Sequence, residues 1–220
     1  MKKHFEFQLT KRLGLVLMFL LFAFGGRSQT TNNPVKTALL IVDIQKFYFP
    51  GDGPGLYHAE EASLAAKEVL KIFRDRKQLV VHVRHKSTKG FDIHPNVAPL
   101  QDEKVITKEE VNSFYKTDLL DYLKKNNINR LVIIGMQTQM CLEGAVRAAH
   151  DFGFECIVVQ DACATRDVKF AGKTVKAEDV QTAILATIAD GRYASVIDLK
   201  ELEDNTNQYL FQQKEQELKK

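Results

Sequence analysis

The sequence predicts a three-layer α/β fold, a largely parallel sheet with helices on both faces, and two observations predict it. Apolar, β-prone runs alternate with segments of helical periodicity from Thr37 onward. That alternation implies crossover connections and hence parallel strands. The runs are also apolar almost without interruption, as in TALLIV and RLVIIG, which suits strands buried on both sides.

The elements follow in order. TALLIVD (37–43) reads as a strand, and FYFPGDGPG (47–55) as a loop broken by Gly and Pro. Residues 58–76 carry Leu64, Val69, Ile72 and Phe73 at helical spacing. QLVVHVRH (78–85) is the second strand, followed by a long loop (86–103) and a short strand KVITK (104–108). SFYKTDLLDYLKKNN (113–127) reads as an amphipathic helix and RLVIIG (130–135) as a strand. QMCLEGAVRAAHDFG (139–153) reads as a helix that Gly153 ends. ECIVVQDA (155–162), AEDVQTAILATIADG (177–191) and YASVIDL (193–199) read as strand, helix and strand.

The ends of the chain differ from this pattern. Lys2, Lys3, Lys11 and Arg12 precede an uncharged apolar run ending at Phe24, and Gly25, Gly26 and Ser28 follow. Residues 1–28 therefore read as a signal peptide, with retention as an anchor the alternative, because the run is short for a membrane span of ~20 residues. Export to the periplasm or the medium is the expectation. Residues 29–36 are a polar lead-in, 37–203 form the domain, and 204–220 are a polar tail expected to fray or form an exposed helix. The leader's five basic residues against one acid, Glu6, exceed the whole chain's net charge of +3. The remainder is close to neutral, so charge gives no case for nucleic-acid binding. The partner expected is a small-molecule substrate, with no stable membrane partner once the leader is cleaved.

In an open α/β sheet, ligands sit beyond the carboxyl ends of the strands. Asp43, His85 and Lys108 end the first three strands, and Cys141 follows the fourth, so distant positions converge on one edge. Of the three cysteines, Cys156 and Cys163 read as structural. Cys141 reads as a nucleophile: a helix start and the Lys108 ammonium favour its thiolate, and Asp43 accepts its proton during attack. Gln45, Tyr48, His85, Phe114 and Thr138 are substrate-binding candidates. His82 reads as a strand residue.

These motifs resemble the isochorismatase-like cysteine hydrolases over roughly Thr37 to Leu199. LLIVDIQKFYF is similar to the family's opening strand, which places the catalytic Asp at Asp43. IHPNVAPLQDEKVITKEEVNSFYKTDL is similar to the segment bearing the catalytic Lys, here Lys108, and His94 to a loop-fixing His. LVIIGMQTQMCLEGAVRAAHDFGFECIVVQDACAT is similar to the nucleophile segment, with Gly135, Thr138 and Cys141 in family spacing. The resemblance implies a Rossmann-like, six-stranded, mostly parallel sheet and a cis peptide between Met136 and Gln137. It implies an oxyanion hole from the N–H groups of Gln137 and Cys141, and a homodimer or tetramer. HVRHKS lacks the Asp-x-His metal motif of the nicotinamidases, so no metal and no other cofactor is expected. Gln181 stands where many relatives carry His and reads as a helix-surface or interface difference. Retention of Cys141 favours hydrolysis of an amide-type C–N bond through a thioester. The alternatives are cleavage of a vinyl ether and a non-catalytic scaffold.

Overall fold

The parallel sheet expected from the sequence is built from six strands in a computed structural model that describes residues 34–51, 53 and 55–210. The elements are β1 (Thr37–Val42), α1 (Ala59–Asp75), β2 (Leu79–His85), β3 (Lys104–Lys108), α2 (Leu119–Lys125), β4 (Arg130–Met136), α3 (Glu143–Asp151), β5 (Glu155–Ala164), β6 (Val168–Phe170), β7 (Lys173–Val175), α4 (Ala177–Asp190), β8 (Ser195–Ile197), α5 (Leu199–Asp204) and α6 (Thr206–Leu210). The sheet order is β3-β2-β1-β4-β5-β8, with all neighbours parallel. The order reverses direction between β1 and β4, so the crevice at their carboxyl ends is the favoured ligand position.

Alternation along β1 divides the core. Ala38, Leu40 and Val42 face α2, α3 and α4, while Leu39 and Ile41 face α1, α5 and α6. Both sides are dry because the strands are apolar at successive positions. The leader and lead-in through Asn33 lie outside the described residues, as does the chain beyond Leu210. Among the described residues no helix is long and apolar enough to cross a membrane.

Several boundaries differ from the sequence reading. The helix expected over 113–127 begins only at Leu119. Asn112 Oδ1 accepts from Phe114 N, and Thr117 Oγ1 donates to Ser113 O and accepts from Leu119 N, so local side-chain bonds compete with the helix. The last strand stops at Ile197, because Asp198 accepts from Glu201 N at 2.6 Å and caps a helix starting at Leu199. The described part of the tail is not frayed. Leu210 is buried in the core, and Arg130 Nη1 donates to the carbonyls of Gln208 and Tyr209. β5 runs on to Ala164, and a two-stranded antiparallel hairpin, β6 with β7, follows it.

One polar cluster ties α1 to the sheet edge. Arg74 donates to both oxygens of Glu103 at 2.8 and 2.7 Å, Leu100 N donates at 2.8 Å, and His82 Nε2 lies at 2.9 Å. His82 is thus structural, and burial lowers its pKa. Burial opposes ionisation of Glu103, but the donors outweigh it and hold the carboxyl down at about 2. The native state then binds fewer protons than the unfolded state, whose ordinary value is 4.5. The stabilisation is full above that value and is lost as pH falls toward about 2. Urea unfolding of Glu103→Gln is expected to show lower stability at neutral pH and a flatter decline across that acid window than wild type.

Candidate active site

The strand register aligns the candidate residues along one edge. Val42 pairs with Val83 on one side and Gly135 on the other, His85 pairs with Lys108, and Met136 pairs with Ala164. The residues that follow these pairs surround the crevice between β1 and β4. Gly135 is required there: a Cβ on it would lie 1.9 Å from Val42 O. The peptide bond joining Met136 and Gln137 is cis, the geometry the resemblance implies.

At the floor of the crevice Lys108 Nζ stands 2.8 Å from Asp43 Oδ2, both side chains fully buried. The same nitrogen lies 3.2 Å from Cys141 Sγ, 3.2 Å from His85 Nδ1 and 3.0 Å from Glu110 O. An ammonium with three protons is thus surrounded by four acceptors. Among the described residues neither carboxylate oxygen of Asp43 receives a well-directed hydrogen bond, so the Asp43–Lys108 pairing is a charge contact that leaves carboxylate lone pairs open to a proton.

Electrostatics corrects one expectation. Burial, followed by the Asp43 charge, pushes the Cys141 thiol up to about 12, and Lys108 offsets this only in part. Cys141 therefore rests as a neutral thiol rather than a thiolate. It lies in a single π turn, Thr138–Leu142, that leads directly into α3, so the helix start expected from the sequence is present. Burial likewise raises the Asp43 carboxyl above its ordinary value, with Lys108 the main opposing influence. Cys156 and Cys163 are buried free thiols, also pushed up to about 12 by burial.

A cleft of about 480 Å³ opens above this floor. Cys141, His85, Tyr48 and Gln137 are among its walls, with Phe47, Leu56, Val111 and Met140 supplying apolar surface. Burial, then the Asp43 charge, raises the Tyr48 phenol.

Three substrate-binding candidates are placed elsewhere. Phe114 is a core residue whose ring centroid lies 5.3 Å from that of Phe152 and 6.3 Å from that of Phe154. Thr138 is fully buried, and its hydroxyl faces Gln181 Oε1 at 2.6 Å and Ala164 O at 3.2 Å. Gln181 is consequently part of the support beneath the nucleophile turn, not a helix-surface difference. Gln45 accepts from His85 N at 2.7 Å and donates to His85 O and Phe91 O at 3.0 and 2.9 Å, so its amide clamps backbone. His94 fixes its loop, as the resemblance implies: its ring stacks on Phe49, and Nδ1 accepts from Asn96 N.

Arg166 is a cleft residue that the sequence reading missed. Its Nε donates to Gln137 Oε1 at 3.1 Å and Nη1 to Asp167 O at 3.2 Å. The signal was the strand-end rule already used for Asp43. It needed only the recognition that β5 continues to Ala164.

Comparisons with known proteins point one way. A family model described as the isochorismatase domain matches residues 37–198. The chain is 40% identical over 173 residues to the isochorismatase family protein YddQ of Bacillus subtilis, covering 74% of this chain and 96% of YddQ. It is similar to a crystal structure of an isochorismatase hydrolase from Oleispira antarctica, with a TM-score of 0.72 and 39% identity, covering 80% of this chain and 98% of that one. It is also 27% identical over 119 residues to the ureidoacrylate amidohydrolase RutB of Rhizobium rhizogenes, covering 53% of this chain and 46% of RutB.

Proposed function

The chain belongs to the isochorismatase family of hydrolases, and from that premise we propose that it is an exported cysteine hydrolase cleaving the C–N bond of a small amide through a thioester on Cys141. The observation that carries this reading is the buried junction of Lys108 with Asp43 at 2.8 Å and Cys141 at 3.2 Å beneath a cleft. The similarity to an amidohydrolase supports amide over ether chemistry, and the basic-apolar-small leader supports export.

Asp43 takes the thiol proton as sulfur bonds to the substrate's acyl carbon, and the carbonyl oxygen becomes an oxyanion. The N–H groups of Gln137 and Cys141 are assigned to that oxyanion. Collapse breaks the C–N bond, and Asp43 returns the proton to the departing nitrogen. Water then adds to the thioester, losing a proton to Asp43. Cleavage of the C–S bond gives the acid, and sulfur recovers the proton. Lys108 opposes the rise that burial imposes on the Asp43 carboxyl and faces the charge that sulfur gathers during attack. No step needs a preformed thiolate.

The deciding experiment is intact-mass trapping of an acyl adduct on Cys141 during a screen of small amides and ureides, with isochorismate included. Pyruvate release from isochorismate without turnover of any amide would overturn the amide reading.

The pH profile carries a further expected outcome. The base must be ionised, and the Asp43 carboxyl is raised above 3.8. The acid limb of kcat/KM is therefore expected above that value, with activity lost as pH falls through it. No limb is expected at the ordinary thiol value of 9.0, because the thiol is protonated on both sides of it. Activity that rises tenfold per pH unit up to an ordinary thiol value would instead require a thiolate in the free enzyme.

A further inference from the structure

We propose that His85 is the site's substrate-side hydrogen-bond donor, presenting Nε2–H to a carbonyl or carboxylate oxygen beside the scissile C–N bond. This rests on the amide-hydrolase reading of the same site and narrows its substrates to amides that carry such an acceptor, ureides among them.

Three observations converge on this residue. An ammonium only donates hydrogen bonds, so the His85 nitrogen 3.2 Å from Lys108 Nζ is an acceptor. The imidazole is then neutral at Nδ1 and carries its proton on Nε2. Nδ1 is turned toward Lys108 at the floor, and the ring is part of the cleft wall beside Cys141. Nε2, on the far side of the ring from Lys108, is therefore directed away from the ion pair. Among the described residues no hydrogen bond to Nε2 is present, while the backbone of the same residue is held from both sides by the buried Gln45 amide. A half-buried imidazole held at its backbone and at one nitrogen, with its other nitrogen left for the cleft, is a fixed donor. The same cleft is lined by apolar Leu56, Val111 and Met140. A substrate acceptor beside Cys141 gains there a neutral, fixed donor, unlike the charged Lys86 and Arg166 that also line the cleft.

Two substitutions separate this role from simple support of Lys108. In His85→Asn the amide oxygen replaces Nδ1, keeping an acceptor for Lys108 but removing the donor. In His85→Gln the amide nitrogen reaches the position of Nε2. Gln45 contacts only the backbone of residue 85, so both variants keep the clamp. The expected result is that His85→Asn loses kcat/KM by about 10-fold or more, as His85→Ala does, while His85→Gln restores it to within about threefold of wild type. The reverse order, with Asn active and Gln impaired, would make His85 a positioning residue for Lys108 and overturn the proposal.

Alkylation of Cys141 by iodoacetamide, whose carbonyl lies beside the attacked carbon, reads the same contact without turnover. Cys141→Ala supplies the background from the other two thiols. The same order of rates is expected, and the reverse order overturns the proposal. A wild-type chain that turns over no amide would count against the amide reading, and the alkylation order would still decide the role of His85.

Discussion

Replacing Cys141 by alanine is expected to lower kcat/KM on the best amide substrate by about four orders of magnitude, with the fold intact. Removing a covalent nucleophile eliminates the reaction path rather than one interaction, and what survives is catalysis by oxyanion donors and binding alone. The fold should tolerate the change for a geometric reason. Cys141 is one of four acceptors around Lys108 Nζ, and Asp43, His85 and Glu110 O remain when it is gone. The buried ammonium is therefore still paired, and the deletion of one sulfur in a 5% exposed site opens only a small gap on the cleft side. Cys141→Ser is a sharper probe. A hydroxyl is far less acidic than a thiol that burial has already pushed up to about 12, so Asp43 cannot deprotonate it usefully, and serine should be nearly as inactive as alanine. Thermal unfolding within a few degrees of wild type, together with the kinetic loss, is the expected pair of readings. Undiminished turnover by Cys141→Ala would remove the covalent mechanism altogether.

How much of this was legible in the sequence depends on which physical quantity each feature reflects. The period of hydrophobicity is local, so β1, β4 and α1 could be located from TALLIV, RLVIIG and the spacing of Val69, Ile72 and Phe73. Strand order places Asp43, His85 and Lys108 on one edge once parallel pairing is granted, and the register bears this out: His85 pairs with Lys108, and Asp43 follows the Val42–Val83 pair. Burial is not local. Adjacency of Lys108 to Cys141 argues for a thiolate, yet desolvation, which no spacing reveals, outweighs that attraction. Gln45 was legible as a residue of the site but not as a backbone clamp, since its partners are the N–H and C=O of a residue forty positions away. Phe114 misled because an aromatic near a strand end looks the same whether it turns toward a ligand or toward Phe152 and Phe154. Arg166 was hidden by the polar pair Gln160 and Asp161, which interrupts β5. A register shift between Ile133 and Gly135 lets β5 resume its pairing with β4 beyond them.

Lys108→Met is expected to destabilise the protein by about 3–5 kcal/mol at neutral pH, the cost of leaving a buried charge without its partner. Both side chains of the pair are fully buried, so solvent cannot replace the ammonium for Asp43. The pH dependence distinguishes this cause from lost packing. Burial already raises Asp43 above its ordinary 3.8, and Lys108 is the main influence holding it down. Without Lys108 the carboxyl rises further, and the native state holds a proton that the unfolded state has released. Since the native state then binds more protons, stability falls as pH rises from the unfolded value toward the folded one, by ~1.4 kcal/mol per unit in the limit of full difference. Lys108→Met should therefore be closest to wild type just above the ordinary carboxyl value of 3.8 and fall further behind as pH rises, in urea titrations about one pH unit apart. The double variant Asp43→Asn/Lys108→Met removes both charges and should regain most of the loss, to within about 1–2 kcal/mol of wild type, while staying inactive. A Lys108→Met deficit that is the same at every pH, or one that the second substitution does not relieve, would assign the loss to packing and not to an orphaned charge beneath the cleft.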